Sequence, residues 1–183
     1  SFRVNECTEA FIKETKIETL RKLAQFVTAD RAYIFDYDHQ NETCSNTFEW
    51  CEEGIEPQIE NLQNIPFEYM TDWVVSNKKG EIMSIPKIEE LPEGELKQIL
   101  SEQEIKSLLV LPIMGKKECL GFVGFDSVKK HYEYTDKEKD LLLFFAQMLA
   151  NVEERNKIEI DLKFYLQTSC FAISFQSQFH QMI

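Results

Sequence analysis

The stretch from Lys106 to Arg155 constrains the fold more than any other part of the chain. Two apolar runs, Leu108 to Met114 and Cys119 to Val128, flank the turn Gly115-Lys116-Lys117. Apolar runs of strand length joined by a short Gly-containing turn predict a β-hairpin. Nearly every position in both runs is apolar, so both faces of the hairpin must be covered. A polar loop follows. Thr135 with Glu138 three residues later then predicts a capping box at the start of a long helix. Leu141, Leu142, Phe145, Met148, Leu149 and Val152 give that helix an apolar face. A doubly covered hairpin feeding a long helix predicts an α+β sensory domain, not an open sheet with a catalytic loop.

The 183 residues suffice for one domain with a core plus extra helices. Lys and Arg total 20 and Asp and Glu total 32, a formal net charge of −12. Nucleic acid and anionic membrane leaflets both demand a basic surface, so neither is an expected partner. No apolar run approaches the ~20 residues needed to span a bilayer. Ser1 to Ala10 is too polar for a signal peptide, and a chain opening on Ser reads as a piece of a longer protein. Cys7, Cys44, Cys51, Cys119 and Cys170 form an odd set with no C-x-x-C pair. That argues against structural zinc and against a disulfide framework, and for a reducing, cytoplasmic setting.

Upstream, Leu20, Leu23, Ala24 and Val27 have helical spacing, and the helix they predict covers residues 6–28. Arg31 to Asp38 and Cys44 to Glu52 predict a first hairpin around the polar turn His39-Gln40-Asn41-Glu42. Simple alternation in its second strand puts Cys44, Asn46, Phe48 and Trp50 on one side. It puts Ser45, Thr47, Glu49 and Cys51 on the other. Between the hairpins the pattern predicts a short helix over 67–77, a strand over 81–85 and a helix from Leu91 to about Gln103. Such a mixed segment is suited to form a ligand lid. The expected organisation is an N-terminal helix over 1–28 and a sensory domain over 29–155, its last helix starting near 135. Residues 156–183 then extend as a signalling helix or begin a next domain. Ile158, Ile160, Leu162 and Phe164 fit a strand or a continued helix, and 164–183 lacks Asp, Glu, Lys and Arg.

Five strings carry a family resemblance. They are Ala29-Asp30-Arg31-Ala32-Tyr33-Ile34-Phe35, Ser45-Asn46-Thr47-Phe48-Glu49-Trp50-Cys51, Leu108 to Met114, Leu120-Gly121-Phe122-Val123-Gly124-Phe125-Asp126-Ser127, and Tyr134-Thr135-Asp136. In this order, over residues 10–155, they resemble GAF sensory domains, in particular those of bacterial or archaeal sensor histidine kinases and diguanylate cyclases. The resemblance implies an antiparallel sheet of five or six strands with the terminal helices on one face. It implies short helices closing a small-molecule pocket on the other face. A homodimer through the terminal helices and a covalently linked output domain are also implied. A PAS domain is the fold alternative, though the N-terminal helix and long middle segment suit it less.

Three cofactors associated with such domains are not expected here. GAF domains that bind cyclic nucleotides carry a dispersed Asn-Lys…Phe-x-x-x-Asp-Glu pattern, where this chain reads Asp126-Ser127, Tyr134 and Glu138-Lys139. Haem needs an axial ligand, yet His39 falls in a hairpin turn and His131 in a polar loop. A bilin needs a pocket thiol; Cys51 could supply it, but a small buried apolar Cys is the commoner case. A thiol reductase using Cys44, Cys51 and Cys119 would need an exposed thiolate and a nearby resolving thiol. Alternation instead sets Cys44 and Cys51 on opposite faces. The ligand-pocket candidates are Glu49, Trp50, Cys51, Asp72, Trp73, Phe125 and Asp126. The paired Trp-carboxylate strings suit a cationic or amide ligand; in the alternative, both tryptophans anchor the core. Leu20, Leu23, Val27, Leu142, Phe145, Leu149 and Val152 are the candidates for a helical dimer seam. The expected function is a sensory module without catalysis of its own; a ligand-free dimerisation module is the rival.

Overall fold

The computed structural model describes the backbone of residues 2–180 and the side chains of residues 10–159 and 162. The elements are α1 (Phe2–Phe26), β1 (Arg31–Asp38), β2 (Thr43–Cys51), β3 (Ile65–Pro66), α2 (Thr71–Lys78), β4 (Met83–Ile85), α3 (Glu95–Glu102), β5 (Ser107–Met114), β6 (Cys119–Ser127) and α4 (Asp136–His180). Short 3-10 turns at Phe67–Met70 and Ile88–Glu90 join them. The strands form one antiparallel sheet in the order β3-β2-β1-β6-β5-β4.

The β5–β6 hairpin sits inside this sheet, and its apolar runs are covered on both faces as expected. Leu109, Leu111, Ile113, Val123 and Phe125 face α1 and α4. Leu108, Val110 and Phe122 face the lid, the segment from Ile65 to Ile105. Two cores therefore share the sheet. On the helix side, Leu20, Ala24 and Val27 of α1 and Leu142, Ala146, Leu149 and Ala150 of α4 are all buried. The capping box forms at Thr135: Glu138 Oε2 accepts from the Thr135 amide at 2.7 Å, and Thr135 Oγ1 accepts from the Glu138 amide at 3.4 Å.

Two expectations need correction and one open alternative is resolved. A bulge interrupts β2: Ile34 pairs Phe48 while Phe35 pairs Asn46, leaving Thr47 as the extra residue. One inserted residue reverses the side-chain parity. Cys44 and Asn46 therefore share the lid side with Glu49 and Cys51, while Phe48 and Trp50 pack on the helix side. The alternation over 158–164 belongs to a helix, because α4 runs on through it. The helix expected over 67–77 is a 3-10 turn followed by α2, which ends at Lys78, just ahead of Gly80 with φ +78°. The tail side chains of 164–183, with Cys7 and Cys170, lie outside the described residues.

Candidate functional site

β1 and β6 bring the chemistry of the lid side together. Arg31 pairs Asp126 across the strands and Tyr33 pairs Gly124. Neighbouring same-face positions on paired strands touch. Arg31 Nε and Nη2 donate to Asp126 Oδ2 at 3.0 and 2.9 Å, and the Tyr33 hydroxyl donates to Asp126 Oδ1 at 2.8 Å. Glycine at 124 makes this possible, because a Cβ there would stand 2.1 Å from the Tyr33 ring. The Arg31 and Asp126 side chains are only 2% and 0% exposed. Arg31 also reaches the Glu56 carbonyl and Gln103 Oε1, tying the loop after β2 and the end of α3 to the sheet. Burial raises Asp126 above the ordinary aspartate value; Arg31 and the Tyr33 hydroxyl oppose the rise. Three donated hydrogen bonds and the adjacent guanidinium favour the charged form of the carboxylate against that burial.

Beside the cluster, Glu49 Oε2 accepts from the Gln58 and Ile59 amides at 2.9 and 3.0 Å. Its Oε1 accepts from Asn46 Nδ2 at 3.3 Å. Glu49 thus fixes the loop after β2. Phe35 and Phe122 stack at 4.7 Å under the lid, and the Trp73 ring lies 5.4 Å from Phe122. Asn77, one turn after Trp73, donates to the Tyr37 hydroxyl at 2.9 Å. Two buried groups on this face of α2, Trp73 Nε1 and Asn77 Oδ1, have no partner.

The pocket candidates divide. Glu49, Cys51, Trp73 and Asp126 lie on the lid side, and Asp72 is exposed on the first turn of α2. Trp50 and Phe125 do not join them: both pack into the helix-side core. The sheet separates Trp50 from Trp73, so the two rings form no shared aromatic face. Residue spacing had not singled out Arg31, Tyr33 or Asn77; the signal was an Arg and an Asp at the ends of otherwise apolar strands.

The thiols are poorly placed for redox work. The bulge puts Cys44 and Cys51 on one face, correcting the expected opposition, but seven residues still separate them by ~23 Å of strand. Burial pushes both thiols up to about 12, and Cys119 is also raised by burial. A thiol so shifted holds almost no thiolate at neutral pH. His39 Nε2 lies 2.6 Å from the Cys119 carbonyl oxygen, and the exposed His131 is 3.2 Å from Glu89. Among the described residues, no group of three His, Cys, Asp or Glu side chains is arranged to hold a metal ion.

On the opposite side, α1 and α4 form an apolar groove of about 550 Å³. Phe11, Phe144 and Met148 line it and are 67%, 66% and 51% exposed. Of the seam candidates, Leu23, Phe145, Leu149 and Val152 border the groove. Leu20, Val27 and Leu142 are instead fully committed to the sheet. The sheet claims those three positions and leaves the other four at the groove. Lys16 of α1 pairs with Glu153 of α4, and Glu154 of α4 accepts from the Lys116 amide in the β5–β6 turn. The long helix is thereby tied to both neighbours midway along its length. No helix among the described residues is long and apolar enough to cross a membrane.

Comparison with known proteins places this architecture. The GAF domain profile matches residues 15–152. The methanogenesis regulatory histidine kinase FilI of Methanothrix harundinacea (strain 6Ac) is 30% identical in an alignment of length 161 that covers 82% of this chain and 17% of that kinase. The blue-light-absorbing form of the Thermosynechococcus elongatus PixJ GAF domain superposes with a TM-score of 0.69 at 21% identity, covering 82% of this chain and 90% of that one. The photoproduct state of GAF3 from Slr1393 of Synechocystis sp. PCC6803 gives 0.68 at 16% identity, covering 77% and 92%. At those identities the structural likeness is one of fold. With the profile match spanning most of its length, the chain belongs to the GAF domain family.

Proposed function

We propose that this chain is the sensory module of a longer signalling protein, binding a small molecule on the lid side and relaying occupancy through α4 to a covalently linked output domain. In this reading it works as a homodimer and carries no catalysis of its own. One observation carries the proposal. The first turns of α4 are clamped to the sheet by Leu142, Ala146, Leu149 and Ala150, and the same helix then runs on to His180. At 45 residues the helix is ~67 Å long, far more than one sheet face needs. A change in the sheet or lid can therefore be delivered at a distance as a movement of one rod. The kinase relative, of which the chain spans 17%, supports an output domain beyond this segment. The exposed groove residues Phe144 and Met148 support pairing of two chains.

Hydrogen exchange tests the relay. The purified chain is equilibrated with the small-molecule fraction of a cell extract, and protection is read across the lid and across residues 136–162. Changes in both regions support the proposal; a change confined to the lid contradicts relay by α4.

A second reading has its own observation. The stacked Phe35 and Phe122 with the Trp73 ring fill the middle of the lid-side sheet face. That filling supports a dimerisation module that needs no ligand. Failure of every extract fraction to bind favours it.

A further inference from the structure

The sheet lies between the lid and α4, so any coupling of the two must pass through the sheet or around its end. At the end of the β5–β6 hairpin both layers meet the same few residues. On the lid side, α2 closes on Gly80. The Gly80 amide donates to the Asn77 carbonyl at 2.9 Å, and the Glu81 amide to the Ser76 carbonyl at 3.1 Å. This closing turn needs a left-handed residue, and Gly80 supplies φ +78°. Met114, the last residue of β5, lies against it: a Cβ placed on Gly80 would stand 3.9 Å from the Met114 side chain. Two residues further, in the turn to β6, the Lys116 amide donates to Glu154 of α4. The turn between these two contacts is tightly built. The Gly115 amide donates to the Glu118 carbonyl at 3.0 Å, and a Cβ on Gly115 would stand 3.1 Å from the Leu120 side chain.

The place of Glu154 on α4 gives this contact its weight. Upstream, Leu142, Ala146, Leu149 and Ala150 hold the helix on the sheet. Immediately downstream, Arg155, Lys157 and Ile158 are exposed. The turn therefore grips α4 where the helix leaves the sheet, through a directional bond from a backbone N–H to a carboxylate. The neighbouring tie from Glu153 runs to Lys16 of α1 and not to the lid. Resting on the sensory reading, we infer that the β5–β6 turn is the coupling element of this domain, with Glu154 as its positioning residue on α4. Displacement of the end of α2 moves Met114, and the turn carries that movement through the Lys116 amide to Glu154. Packed side chains and hydrogen bonds in one contiguous chain are a physical means of such coupling.

Hydrogen exchange on the purified chain tests this without a ligand. Gly80→Ala forces a side chain into φ +78° with no contact nearer than 3.9 Å, so it strains the end of α2 and crowds nothing. Exchange should quicken about fivefold in residues 71–80 and about threefold in residues 151–162. Glu154→Ala cuts the far link. In that background Gly80→Ala should still quicken 71–80, and should leave 151–162 at the rate of Glu154→Ala alone. Met114→Ala should uncouple the two regions in the same way from the lid side. Glu153→Ala breaks only the tie to α1 and should leave the coupling as it is in the unaltered chain. If residues 71–80 do not respond to Gly80→Ala, Asn77→Ala, which removes the contact with Tyr37, serves as the perturbation and is read the same way. The inference is overturned if the perturbation reaches 151–162 equally with and without Glu154, or if it stays within α2 in the otherwise unaltered chain. Because no ligand enters, failure here leaves the sensory proposal to the extract experiment, and an extract without a ligand leaves this coupling in place.

Discussion

Removing one partner of the Arg31–Asp126 pair should destabilise this domain far more than any exposed charge change. Both side chains are almost wholly buried, and Asp126 has three donors on it. Asp126→Asn leaves the Arg31 guanidinium in the lid-side core without its counter-charge. Breaking a buried pair in this way costs about 3–5 kcal/mol. For a chain of this length that lowers Tm by roughly 6–20 °C. Tyr33→Phe removes one hydrogen bond to a charged group and leaves the ion pair, so about 2 kcal/mol is expected. Replacing both charges, Arg31→Met with Asp126→Leu, strands neither and should recover most of the loss. Urea denaturation followed by circular dichroism gives all three values on one scale. The reasoning is refuted if Asp126→Asn costs under about 1 kcal/mol, the value for an exposed pair. It is also refuted if the double variant is no more stable than the sum of its single changes predicts.

Further outcomes follow from other contacts. Gly124→Ala should cost ~3 kcal/mol or more in the same assay, because its Cβ would stand 2.1 Å from the Tyr33 ring. Burial pushes Glu138 up, but hydrogen bonds from Tyr132 and Thr135 outweigh it and leave the carboxyl below the ordinary glutamate value. The stabilisation from this cap is therefore fully present above that value and is lost as pH falls through the lowered one. Thr135→Ala should cost about 1 kcal/mol at neutral pH, with a smaller difference in acid. Cys44 and Cys119 should alkylate only as the chain unfolds, as mapped by mass spectrometry, since burial raises both thiols.

Much of this architecture is written locally. The β5–β6 hairpin is legible because its residues are apolar on both faces, and the start of α4 because Thr135 and Glu138 form a motif within one turn. What is not legible depends on partners distant in sequence. Arg31 and Asp126 lie 95 residues apart and meet only because β1 is placed beside β6. The Thr47 bulge is a property of the pairing with β1, and it moves Trp50 to the helix side while leaving Glu49 under the lid. Helical periodicity puts Leu142 and Met148 on one apolar face. The sheet then decides that Leu142 is buried and Met148 is exposed.

Native mass spectrometry of the purified chain, set against its denatured mass, tests the central claim most directly. The account predicts a doubled mass carrying an additional small mass that disappears on denaturation. A bare monomer would contradict both the sensory site and the groove between α1 and α4 as a seam between two chains.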